Sequence, residues 1–114
     1  LTDSILNEHY AHLSEKPFFQ MLKDSMMSTP VIACCLEGID AVRVVRAMTG
    51  ATNGRNADPG TIRGDYCVSN QQNIVHASDS LETAAVELAR FFKPEEIFDY
   101  TPSNRNYLYA LDEH

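Results

Sequence analysis

Basic residues are in short supply: nine Lys and Arg stand against sixteen Asp and Glu, a formal charge of −7. Phosphate neutralisation along a nucleic acid needs clustered cations, so this balance argues against specific nucleic-acid binding. Cysteine is scarce and odd in number, at three, and Cys34 and Cys35 are adjacent, which excludes a disulfide framework and points to a reducing compartment. No apolar run approaches the roughly 20 residues a membrane helix needs. No basic region leads into an apolar stretch as in a signal peptide. Repeats, low-complexity runs and linkers are missing too. What is present is enough for one packed domain: 114 residues, 44% of them hydrophobic. Leu1 is not an initiator and Thr2 onward already reads as a helix, so the expectation is a chain cut from something longer.

The few cations are unevenly placed. Arg43, Arg46, Arg55 and Arg63 share one stretch, countered there only by Asp58. Two readings stand open: a site for a small anionic ligand, or arginines that merely solvate a face.

Ser, Thr and Asp at 2–4 can cap a helix to about Leu13, with Ile5, Leu6, His9, Tyr10 and Leu13 on one face. Pro17 suits the first turn of a second helix through about Met27, and Pro30 bars its continuation. Val31–Leu36 reads as a short buried strand, with Cys34 and Cys35 as small core residues. A helix over about Ile39–Met48 follows, with Ile39, Val42, Val45 and Val44 inward and Gly50 as its stop. Residues 51–72 form a long irregular stretch, of the kind usually kept for function. Asn73–Ala77 reads as a second short strand. Ser78, Asp79 and Ser80 offer caps for a helix through about Phe92, and Asp79 with Glu82 has capping-box spacing. A helical turn is expected at 94–98. The tail, 99–114, is expected to pack as an irregular arm through Tyr100, Tyr107, Leu108 and Tyr109.

His76 ends the apolar run and precedes a helix start, where free N–H groups attract anions. Neutral imidazole is a competent nucleophile, and a carboxylate such as Glu87 can fix its tautomer. Taken alone, His76 reads sooner as a strand-end core residue and Glu87 as a solvated helix residue. Other templates fail: neither a P-loop nor a G-x-G-x-x-G is present, and no Cys/His spacing suggests zinc.

Asn73-Ile74-Val75-His76-Ala77-Ser78-Asp79-Ser80 closely resembles the active-site signature of nucleoside diphosphate kinases. So do Thr49-Gly50-Ala51-Thr52-Asn53 and Pro59-Gly60-Thr61-Ile62-Arg63-Gly64-Asp65. Glu8-His9-Tyr10 with Lys16-Pro17-Phe18-Phe19, and Phe92-Lys93-Pro94-Glu95-Glu96, are similar in the same order. The resemblance implies ping-pong transfer of the γ-phosphate of a nucleoside triphosphate to a nucleoside diphosphate through a phosphohistidine. His76 would be the nucleophile and Glu87 its orienting carboxylate, acting through the Ser78 hydroxyl. Arg46, Thr52 and Arg63 match the phosphate binders, Asn73 a ribose contact, and Phe18, with Leu22 and Tyr10, the aromatic shelf for the base. Mg²⁺ is implied as a bridge between phosphates with few or no protein ligands, and a cytoplasmic homo-oligomer, tetramer or hexamer, as the assembly.

The implied fold is α+β: a ferredoxin-like βαββαβ sandwich with an antiparallel sheet, of which residues 1–114 hold the C-terminal two-thirds as one N-terminally incomplete domain. The family's first strand, which bears a phosphate-contacting lysine, has no counterpart here. The resemblance places that strand between 31–36 and 73–77, so the expectation is unpaired edges and a rival role as a catalytically impaired nucleotide-binding or assembly module. Two departures stand out. Asn70 occupies the place of an apolar residue on the far face of the base, and Gly54 replaces a common proline in the long loop.

Overall fold

Helices account for all the regular structure in residues 1–113, which are those described by the structure, a computed structural model. His114, the last residue of the expected arm, lies outside them.

The first helix, α1 (Asp3–His9), starts where Thr2 stays extended and its Oγ1 accepts the Ile5 N–H. It ends earlier than the periodicity predicts, passing at Tyr10 into a 3₁₀ turn over Ala11–Leu13. Leu6 is fully buried under it. Helix α2 (Phe19–Met27) packs back on α1, two residues beyond Pro17. The joint is polar. Lys23, only 6% exposed, donates from Nζ to Asp3 Oδ1 and Asn7 Oδ1, each at 2.8 Å, and lies 5.0 Å from the centre of the Phe19 ring.

The Lys23 hydrogen bond holds the Asp3 pKa below the usual aspartate value of 3.8. A depressed carboxylate pKa stabilises the fold above the unfolded value, and that contribution is lost as pH falls through the folded one. Asp3→Asn should therefore lower the denaturation midpoint more at pH 7 than at pH 2. Equal losses at both values would show that Asp3 acts by shape alone.

Helix α3 (Ala41–Thr49) ends at Gly50, whose φ of 81° is a left-handed conformation that glycine adopts without strain. Its expected inward face is only partly so: Ile39 and Val44 are exposed, while Val42 and Val45 are half-buried. The 51–72 stretch is more ordered than its composition predicts. It holds a 3₁₀ turn at Gly54–Asn56 and a short helix α4 (Ile62–Tyr66), capped by Thr61 accepting the Gly64 N–H. Gly54 has a local reason to lack a side chain. A Cβ there would run into the Cys67 carbonyl, and its N–H faces the Ser69 carbonyl at 3.4 Å.

Helix α5 (Leu81–Phe91) is capped by Ser80, which accepts the Thr83 N–H at 3.1 Å, rather than by the Asp79–Glu82 box. A 3₁₀ turn at Pro94–Glu96 follows, with Glu96 accepting the Lys93 N–H. Helix α6 (Arg105–Leu108) and a last turn at Leu111–Glu113 make up the tail. That arm does not pack as expected: Tyr100, Tyr107 and Leu108 are exposed, and of the expected anchors only Tyr109 is half-buried.

Neither expected strand forms. Residues 31–36 are irregular and exposed throughout, Ile32 at 93%, so Cys34 and Cys35 are surface thiols and not core residues. A strand exists only through its ladder, and no described segment hydrogen-bonds alongside this run. Residues 73–77 fail for a local reason: Ile74 has φ 60°, outside the β region. The chain exposes 8815 Å², against roughly 6,300 Å² for a compact monomer of its mass. Among the described residues only Leu6 and Cys67 are buried apolar side chains, so polar braces carry much of the tertiary organisation.

Candidate active site

His76 stands at the mouth of an open cavity of about 1140 Å³ between α1, α2, α5 and the loops after α3 and α4. Its backbone comes from a tight turn. Val75 N–H donates to the Asn73 carbonyl at 2.7 Å, closing a three-residue turn around Ile74. A β-branched residue with positive φ stores strain of about 1–3 kcal/mol and persists only where its surroundings hold it.

Three side chains hold it. Arg63 on α4 is 3% exposed and donates to three backbone carbonyls: Nε to Asn73, Nη1 to Gly50 and Nη2 to Val75. The Asn73 side-chain amide donates to the Thr52 carbonyl at 3.2 Å. Arg46 on α3 donates to the Ala77 carbonyl at 3.1 Å. Burial, and then the Arg46 charge, pull the Arg63 pKa below the usual arginine value. The resemblance gave Arg63 to phosphate. The geometry adds a second task, tying the end of α3 to the turn that carries His76.

The imidazole is held from α5. His76 Nε2 lies 2.6 Å from Glu87 Oε2, and the Ser78 hydroxyl donates to that same oxygen at 2.9 Å. Glu87 thus reaches His76 directly, and Ser78 fixes the carboxylate in place of relaying it. An ionised carboxylate only accepts, so Nε2 carries the proton and Nδ1 the lone pair. The His76 side chain is 43% exposed and that of Glu87 12%, which puts the reactive ring in the cavity and its partner behind it.

Phe18, Leu22 and Tyr10 line one part of the cavity and Thr52, Arg46 and Asn73 another, so every sequence-predicted binding residue faces it, Arg63 included. Asn70 lines it as well. Burial, and then the Glu87 charge, raise the Tyr10 pKa, so its phenol stays neutral. Sequence reasoning missed Arg90 and gave His9 a place on the apolar face and in the Glu8-His9-Tyr10 motif, with no role beside His76. Arg90 Nη1 lies 2.8 Å from His9 Nδ1, and the His9 ring meets the His76 ring edge to face, centroids 4.8 Å apart. No local signal marks that pair, which is 81 residues apart in sequence.

A cation finds poor footing here. His9, His76 and Glu87 have potential ligand atoms within 4.8 Å of one another. The carboxylate oxygen is already engaged by His76 and Ser78, however, and Arg90 sits on His9. Mg²⁺ prefers an all-oxygen shell, which this set does not supply. The donor set of these three side chains is therefore a poor match for a magnesium ion.

Residues 1–97 match the family model described as nucleoside diphosphate kinase. The nucleoside diphosphate kinase of Parabacteroides distasonis is 68% identical over 99% of this chain and 74% of its own length. Nucleoside diphosphate kinase A of Homo sapiens is 44% identical over 95% of this chain and 71% of its own length. Among solved structures, the Halobacterium salinarum nucleoside diphosphate kinase in complex with CDP superposes with a TM-score of 0.91, at 39% identity, over 96% of this chain and 73% of that one. At that similarity the two share the ferredoxin-like nucleoside diphosphate kinase fold. On sequence and on backbone alike, this chain belongs to the nucleoside diphosphate kinase family.

Proposed function

We propose that the protein is a nucleoside diphosphate kinase, moving the γ-phosphate of a nucleoside triphosphate to a nucleoside diphosphate by a ping-pong route through phosphorylated His76. The observation that carries it is the Glu87 contact at His76 Nε2, which leaves Nδ1 unprotonated in an arginine-lined cavity. In the first half-reaction Nδ1 attacks the γ-phosphorus. The N–P bond forms, the bond to the β-phosphate oxygen breaks, and the diphosphate leaves. In the second half-reaction a β-phosphate oxygen of the acceptor attacks that phosphorus, the N–P bond breaks, and neutral His76 returns. Glu87 keeps the Nε2 proton in place and balances the positive charge that grows on the ring.

Arg46 and Arg63 supply cationic N–H groups on the cavity wall, with Thr52 and Asn73 beside them. Phosphoryl transfer is mostly positioning and charge stabilisation, and such a lining suits it. Phe18, with Leu22 and Tyr10, offers a face on which any base can stack, so most bases should be accepted. Mg²⁺, arriving as part of the nucleotide substrate, would bridge and neutralise the phosphates. For the fold, the reading is the βαββαβ sandwich, of which the described residues carry the helical layer. For the assembly it is a homo-oligomer, tetramer or hexamer, with exposed apolar side chains such as Ile32 and Tyr107 available for burial. Free thiols at Cys34, Cys35 and Cys67 fit a cytoplasmic setting.

Initial rates with ATP and GDP varied together should give parallel double-reciprocal lines. Intersecting lines would mean a ternary complex and remove the phosphohistidine route. Glu87→Ala should slow His76 phosphorylation by about 10- to 100-fold without abolishing it, since a misoriented nucleophile still reacts. An unchanged single-turnover rate would reduce Glu87 to a structural residue.

A further inference from the structure

Glu87 explains one side of the His76 ring; the other side is closed by His9, whose own state is set by Arg90. Arginine has N–H donors and no acceptor, and it stays charged at any working pH. Its Nη1 contact at 2.8 Å therefore requires a lone pair on His9 Nδ1, which puts the His9 proton on Nε2. The Arg90 side chain is 13% exposed, and its Nε lies 3.5 Å from Glu8 Oε1, an ion pair that tethers the guanidinium to α1. The His9 ring stands at 89° to the His76 ring, and the Phe91 ring backs it at 5.1 Å.

We propose that Arg90 is a positioning residue for the His76 nucleophile, acting through His9: it locks His9 in the neutral Nε2–H form and wedges that ring against His76. The inference rests on the phosphohistidine reading. Two consequences follow for the site. The His76 ring, gripped by Glu87 at Nε2 and abutted by His9, cannot rotate away from the phosphate it attacks. A second imidazolium is also kept from forming beside it.

The charged and titratable groups facing His9 are Arg90 and Glu87 from α5, His76 from the turn, and Glu8, Tyr10 and His12 from its own segment. Burial and then the His76 charge hold the His9 pKa below 6.5, with Arg90 adding to the effect and Glu87 opposing it. Since the folded value lies below the unfolded one, the neutral ring persists at pH 7, and stability falls as pH drops below 6.5 towards the folded value.

The test reads the imidazole nitrogens by ¹⁵N–¹H NMR in histidine-labelled protein, together with single-turnover phosphorylation by ATP. The parent should show His9 protonated at Nε2 and bare at Nδ1. Arg90→Leu, which keeps a helix-forming apolar stem, should mix the His9 tautomers and raise its titration midpoint, as expected for loss of a neighbouring cation. It should also slow phosphorylation about tenfold with the nucleotide KM unchanged. Arg90→Lys, which restores a cationic donor, should recover both tautomer and rate. A His9 tautomer and midpoint unaltered in Arg90→Leu overturn the proposal, as does a lost tautomer with an unaltered rate. If ATP fails to label even the parent, the kinase reading fails instead, and the spectra still decide whether Arg90 sets His9.

Discussion

His76→Ala protein incubated with ATP and Mg²⁺ should take up no acid-labile, alkali-stable phosphate, whereas the parent should become labelled within one turnover. The expectation rests on position. Among the described residues, His76 is the one histidine with a carboxylate on Nε2, and it lines the cavity. His9, the next imidazole, has its Nδ1 covered by Arg90 and cannot substitute. Removing the nucleophile of a covalent mechanism leaves no route through the intermediate, so transfer should fall to background. Nucleotide binding should survive, because Phe18, Arg46 and Thr52 come from other elements. Labelling of His76→Ala at the parental rate would remove the nucleophile assignment outright.

Arg63→Met should have the second largest effect, and a double one. The substitution keeps an unbranched side chain but removes donors from the carbonyls of Gly50, Asn73 and Val75. An unsatisfied buried carbonyl costs about 1–3 kcal/mol, and some of the three will find water, so a loss of roughly 3 kcal/mol is expected. The strained Ile74 turn then relaxes, and His76 loses its aim. A displacement of that kind costs on the order of 100-fold in rate, in addition to any loss of charge on the phosphates. Arg63→Lys should not rescue, since one ammonium cannot serve three separated carbonyls in the guanidinium plane. Parental stability and rate in Arg63→Met would show that the turn stands without its brace.

The helices, and the residues that carry the chemistry, were legible because their signals are short-range. Thr2 and Ser80 cap α1 and α5 through partners three residues away, and Gly50 ends α3 by its own φ. His76, Glu87, Arg46, Arg63 and Phe18 were named by the resemblance, and all of them line one cavity. The short helix at Ile62–Tyr66 was hidden by its glycine and aspartate, though Thr61 is an ordinary cap.

What the sequence did not disclose depends on partners far along the chain. The apolar run 31–36 has every residue a strand wants, yet a strand is a property of a pair, and no described neighbour hydrogen-bonds to it. Ile74 favours strands by type but is held at positive φ, with Arg63, eleven residues earlier, gripping the carbonyls on either side. Ser78 was expected between Glu87 and His76; the approach of α5 lets the carboxylate reach the ring directly. His9 and Arg90 meet only because α1 and α5 pack together. Spacing and propensity thus determined which groups the protein has and which helices present them. Tertiary packing decided which nitrogen of His9 and of His76 holds its proton, because a hydrogen bond's direction is set by the atom that arrives opposite it.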